Sequence, residues 1–274
     1  MKISVFAEHL FEAAEQEKIP LTRVLDKVNN MGISGVELDY SRLEQDDALP
    51  DFFRKHGLDI SCVYVFLDFS HSDDMGYAEK VVCSLKKYNI KRLMGIAGFV
   101  YENDDIDTCT QRMYKGMNKL SELCSEAGIS LCLEDFDDKT AVFSTIKGLT
   151  GFMENVHNLG CAFDTGNFIY SNESALDAFD KLKNKIVHLH CKDRSYTQKA
   201  GEEPKIALNG QALYSSPVGY GEMPIEYIAK ELLKSCYDGY FAIEHFGSQN
   251  QLSDIQKSAE KLKEWYYDTC NCME

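Results

Sequence analysis

The 274-residue chain lacks any apolar run approaching the roughly 18 residues expected of a membrane helix, so a membrane-spanning protein is not expected. It lacks a Pro/Gly/Ser-rich linker or charge block that would mark a boundary, and one domain over residues 1–274 is expected. Neither Gly-x-Gly-x-x-Gly nor Gly-x-x-x-x-Gly-Lys-Ser/Thr follows an early strand-like run, which removes support for the usual nucleotide-binding folds. Basic clusters are missing too. With 29 basic against 44 acidic residues the formal net charge is -15, a surface that repels phosphate backbones and excludes nucleic acid as an expected partner. The opening Met1-Lys-Ile-Ser-Val-Phe-Ala-Glu carries charge within a few residues, unlike a secretory leader, and a soluble, cytoplasmic protein is expected.

Ten cysteines are present, but Cys62, Cys83, Cys124, Cys132, Cys161, Cys191 and Cys236 sit inside apolar periodic segments. They read as small reduced core residues rather than a disulfide framework. Cys270 and Cys272 form the one cluster, and two thiols do not complete a four-ligand zinc site, so a mobile reduced tail is expected there.

Short β-branched or apolar runs alternate with longer stretches of helical spacing, the pattern of repeated βα units. Eight strands are expected, near Lys2 to Ala7, Gly35 to Asp39, Asp59 to Phe66, Arg92 to Ala97, Ile129 to Glu134, Cys161 to Asp164, Ile186 to His190 and Tyr240 to Glu244. Their consecutive apolar residues suit parallel strands covered on both faces. Helical stripes follow at Val24, Leu25, Val28 and Met31, opened by Pro20 and closed by Gly32, and at Met113, Met117, Leu120 and Cys124, with Gly128 as the C-terminal cap. Pro224 opens a third stripe, and Ile255, Ala259, Leu262 and Trp265 mark the last helix, near Leu252 to Tyr267. The eightfold count and a length near the roughly 250 residues typical of the fold predict a single (β/α)8 TIM barrel, with an open doubly wound sheet as the alternative. The connection from Asp193 to Pro224 is too long for a minimal turn and is expected to be an active-site loop.

Four chemistry-bearing residues close four of these strands: Glu134, Asp164, His190 and Glu244. In a closed parallel barrel the carboxyl ends of the strands converge on one mouth, so these four can meet and form a divalent-metal shell. The mixed oxygen and imidazole donors suit one ion of Mn2+, Mg2+, Co2+ or Zn2+. Glu134 and Glu244 are also the candidate acid/base pair. Each has a plainer reading: a single strand-end Glu can cap a helix or join a surface ion pair, Asp164 can simply begin a turn, and either His188 or His190 can be a core histidine.

The fragments Leu133-Glu134, Phe163-Asp164-Thr-Gly-Asn167, Val187-His-Leu-His190-Cys-Lys-Asp193, Val218-Gly-Tyr-Gly221 and Ala242-Ile-Glu244 together resemble the sugar phosphate isomerase/epimerase family, with its xylose-isomerase-like barrel. The resemblance implies that Glu134, Asp164, His190 and Glu244 hold one divalent ion and that the two glutamates handle protons. It implies a metal-dependent isomerase or epimerase acting on a small-molecule sugar or sugar phosphate through an enediolate. The alternatives are an inosose-type dehydratase and a barrel that binds a carbohydrate without turning it over. The barrel also resembles apurinic endonucleases, a distant alternative because no Asp-x-His pair follows His190. Asn167 stands where many members carry a histidine, which argues against a multi-metal site.

Further polar residues are expected around the site. Glu37 at the end of the second strand, and Glu8 with His9 after the first, are expected at the same mouth, where they can bond substrate hydroxyls. Asn167, Asp193 and Arg194 are further substrate-binding candidates, Arg194 toward a phosphate. Lys192 or Asp193 can orient the His190 region, while Gly219 and Gly221 let the long loop pass close by.

Overall fold

The computed structural model describes residues 1–198 and 201–273, with the side chains of 272 and 273 outside that description. Eight parallel strands form a closed barrel: β1 (Lys2–Phe6), β2 (Gly35–Asp39), β3 (Asp59–Phe66), β4 (Arg92–Ile96), β5 (Ser130–Glu134), β6 (Gly160–Asp164), β7 (Ile186–Ser195) and β10 (Tyr240–Glu244). Closure is explicit in the register, because β10 pairs in parallel with both β1 (Ala242 opposite Ser4) and β7 (Glu244 opposite Lys192). The expected strands stand within a residue or so of these bounds, except that β7 runs on to Ser195.

Helices return the chain from each strand to the next: α1 (Ala7–Glu17), α2 (Leu21–Asn30), α3 (Tyr40–Gln45), α4 (Leu49–Lys55), α5 (Gly76–Lys87), α6 (Ile106–Ala127), α7 (Ile146–Asn155), α8 (Ala175–Leu182), α9 (Ile225–Lys234) and α10 (Gln251–Met273). The longest connecting helix shows the local logic. Asp105 caps α6 by accepting from Thr108 N at 2.8 Å, and Gly128 ends it at φ 67°, a left-handed position that costs glycine little. Between them Met113, Met117, Leu120 and Cys124 recur at helical spacing and are buried, each large side chain contributing about 1.5–3 kcal/mol.

The long connection after β7, expected as an active-site loop, carries antiparallel pairing of its own: the end of β7 pairs with β9 (Ala212–Ser216), which in turn pairs with β8 (Lys205–Ile206). The segment expected as a mobile reduced tail is helical in its described residues, through 273. α10 continues because Trp265 is buried and Thr269 Oγ1 donates to its carbonyl at 2.7 Å. Cys270 is exposed on this helix, and the side chain of Cys272 lies outside the described residues. Among the described residues no cysteine is in a disulfide, and no helix is long and apolar enough to cross a membrane.

His71 ties two loops at the strand carboxyl ends. Its Nδ1 lies 2.8 Å from Asp68 Oδ1 and its Nε2 lies 2.9 Å from Asp104 Oδ2, while the ring stacks on Tyr101. Hydrogen bonds to Asp104 and Asp68 raise its pKa above the ordinary 6.5. A raised folded-state value gives stability that is fully present below pH 6.5 and lost as pH rises through that value. His71→Gln is therefore expected to lower the denaturation midpoint at pH 6 and to have a smaller effect at pH 9. Equal losses at both pH values would remove the charged clamp.

Candidate metal and active site

The carboxyl ends of β5, β6, β7 and β10 bring Glu134, Asp164, His190 and Glu244 together, all buried, with one donor atom of each within 4.8 Å of every other. His190 Nδ1 lies 2.5 Å from Glu134 Oε1 and 3.4 Å from Glu244 Oε2. Asp164 is oriented by the turn after β6, where Gly166 N–H donates to its Oδ1 at 2.6 Å. Gly166 is required there because a Cβ would stand 2.6 Å from the Lys192 carbonyl. The Asp-Thr-Gly-Asn run is thus a turn and also the device that aims the carboxylate. Thr165 completes it, with Oγ1 donating to the Lys192 carbonyl at 2.9 Å.

Beneath the cluster lies a second polar layer. Glu37, wholly buried, is 2.7 Å from His188 Nε2 and 3.2 Å from His190 Nε2. Burial would raise the Glu37 carboxyl, but the imidazoles of His190 and His188 outweigh it and hold it well below the usual carboxylate range. Burial lowers His188 to about 4, so this imidazole is neutral at pH 7. His190 is raised well above 6.5 because Glu37 and Glu134 overcome the desolvation of its ring. Burial raises Glu134 and Glu244 and brings Asp164 to about 6, each partly offset by neighbouring cations.

A cavity of about 530 Å³ opens above the cluster. Glu134, Glu244, Asn167 and Lys192 reach its floor, Phe6, Tyr64, Phe66, Phe136 and Phe246 make aromatic walls, and the hairpin contributes Lys205 and Ser215. The clustered residues Glu134, Asp164, His190 and Glu244 fit a divalent ion. Three carboxylates and an imidazole are a suitable donor set; Asp164 Oδ2 and Glu244 Oε2 make no aligned hydrogen bond, and their near neighbours are the cations Lys192 Nζ at 3.1 Å and His190 Nδ1 at 3.4 Å, respectively. Glu37 on the far nitrogen of His190 supplies the carboxylate–imidazole support that fixes a ligating ring.

The barrel has counterparts among known proteins. The family model described as xylose isomerase-like TIM barrel matches residues 25–265. The chain belongs to that family. It is 30% identical over 138 residues to an inosose dehydratase of Clostridium perfringens, a match covering 47% of this chain and 45% of that one, so the chain spans about half the length of this relative. Two solved structures share the fold over nearly their whole length. An L-ribulose 3-epimerase superposes with a TM-score of 0.75 at 15% identity, covering 100% of this chain and 97% of that one. The IOLI protein with a bound zinc atom gives 0.74 at 14% identity, covering 98% and 99%.

The other sequence candidates separate. Asn167 lines the cavity; its Nδ2 donates to the Asp135 carbonyl at 2.7 Å and its Oδ1 accepts from Lys192 Nζ at 2.8 Å. Arg194 also lines it and donates to Asp137 Oδ2 at 2.8 Å. Glu37 does not reach the cavity wall; it bonds the two histidines instead. Asp193 faces the returning loop, accepting from Gly219 N and Gly221 N at 2.9 Å and from Met223 N at 3.1 Å. A Cβ on Gly221 would stand 2.3 Å from Asp193 Oδ1, so this glycine lets the loop close on the carboxylate. His9 is buried beside His245 at a ring distance of 5.2 Å, and Glu8 accepts from Arg42 Nε at 3.0 Å. Sequence reasoning missed Asp39, which lines the cavity. It stands two residues after Glu37, hence on the same side of β2 and one layer nearer the mouth, a signal that period-two counting supplies.

Proposed function

We propose that this chain is a metal-dependent enzyme that removes a proton from carbon next to the carbonyl of a sugar, a sugar phosphate or a related polyol, as an isomerase or epimerase. The observation that carries the reading is the clustering of Glu134 and Glu244, which line one aromatic-walled cavity, with the buried Asp164 and His190 beside them. These four residues would hold a divalent ion, which would supply positive charge to offset the negative charge that develops on the substrate oxygens. Glu134 takes the carbon-bound proton and Glu244 returns one, to the opposite face in an epimerisation or to the neighbouring carbon in an isomerisation. Asp164 and His190 act mainly as ligands, and the aromatic walls hold the carbon skeleton and exclude water.

A second reading has a specific support, the match to an inosose dehydratase. The first step is the same proton removal, after which a hydroxyl on the next carbon leaves as water. The two readings part in the product. The expected result is that ketoses, aldoses, their phosphates and inososes, screened in D2O with Mn2+, Mg2+, Co2+ or Zn2+, reveal a substrate that gains solvent deuterium only with the ion present. A product of unchanged composition supports the isomerase or epimerase, and one lighter by a water supports the dehydratase. The ion alone is expected to raise the melting temperature. No bound ion and no thermal shift with any of the four would remove the metal mechanism and leave carbohydrate binding without turnover.

A further inference from the structure

Lys192 enters the same carboxylate cluster. Its Nζ lies 2.5 Å from Glu244 Oε1, 3.1 Å from Asp164 Oδ2 and 2.8 Å from Asn167 Oδ1, and the residue is buried. This position is imposed by the backbone. Lys192 is the β7 residue in register with Glu244 of β10, it follows His190 by two positions and so projects to the same side, and Thr165 Oγ1 bonds both its N–H and its carbonyl. Asp164 Oδ1 is already taken by Gly166 N–H, which leaves Oδ2 as the oxygen this carboxylate can offer a cation. The ammonium is the cation beside it.

We propose that Lys192 is a built-in competitor for the divalent ion: its ammonium and the metal contend for Asp164 Oδ2 and the Glu244 carboxylate, and the ion turns the lysine out toward the cavity it already lines. This rests on the ion-binding reading above. In the metal-free protein the ammonium offsets three buried carboxylates that would otherwise repel one another, and so stabilises the fold. Once the ion takes their oxygens, an ammonium beside it is a like charge at close range in a buried site. The cavity gives the long side chain space to swing, and there it becomes a cation facing the substrate. Lys192 thus sets ion affinity from inside the ligand shell while ligating nothing.

Calorimetric titration with Mn2+ of wild type, Lys192→Met and Lys192→Arg tests this directly. The Met variant keeps the length and loses the charge. It is expected to bind Mn2+ about tenfold more tightly than wild type or better, within the usual range of coupling between two ligands, and to melt at a lower temperature when metal-free. The Arg variant keeps the charge and is expected to bind no more tightly than wild type. Weaker or equal binding by the Met variant overturns the competition and makes Lys192 a support for the ligands. A second measurement needs no variant: acylation of Lys192 by an amine-selective reagent, followed by peptide mass, is expected to speed up several-fold when wild type is loaded with Mn2+. An unchanged or slower rate overturns the displacement. Absence of Mn2+ binding in wild type and Met variant alike sinks the metal reading and this proposal together, whereas binding indifferent to Lys192 sinks this proposal alone.

Discussion

Glu134→Gln and Glu244→Gln, each loaded with metal, are expected to lower turnover by about a hundred- to ten-thousandfold while KM changes far less. The amide keeps the shape of the side chain and one oxygen that can still meet a cation, but it cannot accept a proton from carbon. The surroundings of each glutamate make the substitution informative. Both are buried and both touch His190 Nδ1, so a change in ion binding would otherwise be read as a change in chemistry. Metal occupancy must therefore be measured in each variant beside the rate. The two substitutions are also expected to differ. The glutamate that takes the first proton controls solvent exchange into substrate, whereas loss of the one that returns it leaves that first abstraction intact and slows product formation. Full exchange in a metal-loaded double variant would sink the two-carboxylate mechanism.

The strand ends were legible because a parallel strand covered on both faces leaves a short unbroken apolar run, and a Glu, Asp or His directly after it stands out. Glu134, Asp164 and Glu244 are the last residues of β5, β6 and β10 for that reason. What was illegible depends on depth and on distant partners. Glu37 and Asp193 were expected to contact substrate because each is a polar residue near a strand end, yet Glu37 stands two residues short of the end of β2. That offset is one layer, and it turns a cavity residue into a partner for His188, 151 positions away. A register shift between Val36 and Glu37 against β3 makes the depth harder still to count. Asp193 has alternation against it: its neighbours Lys192 and Arg194 line the cavity, and it bonds the backbone of a loop about 26 to 30 residues on. Short α3 and α4 went unseen because one or two turns carry too few apolar positions to show a period. The β8–β9 hairpin was hidden likewise, since Ala212–Ser216 has no clean alternation of apolar and polar residues.

Glu37→Gln is expected to be the most damaging substitution outside the four ligands, lowering metal affinity by about ten- to a hundredfold and stability by about 3–5 kcal/mol. The carboxylate is wholly buried and its oxygens lie within hydrogen-bond distance of both His188 Nε2 and His190 Nε2. It therefore fixes the orientation of the ring whose Nδ1 faces the cluster. Glutamine offers one acceptor in place of two and puts an N–H against one of the imidazoles, so one ring must rotate, shift its proton or lose its partner. His188 can adapt, since it is neutral and lies a layer below the ligands; His190 cannot do so without moving Nδ1. The stability loss arises because removing one member of a buried ionic network strands the others, and it is read from the denaturation midpoint of the metal-free protein. Metal affinity is read separately by titration with Mn2+. An affinity equal to wild type in a destabilised Glu37→Gln protein would make Glu37 a purely structural residue and leave His190 oriented by Glu134, Glu244 and the edge-on rings of Phe6 and His188.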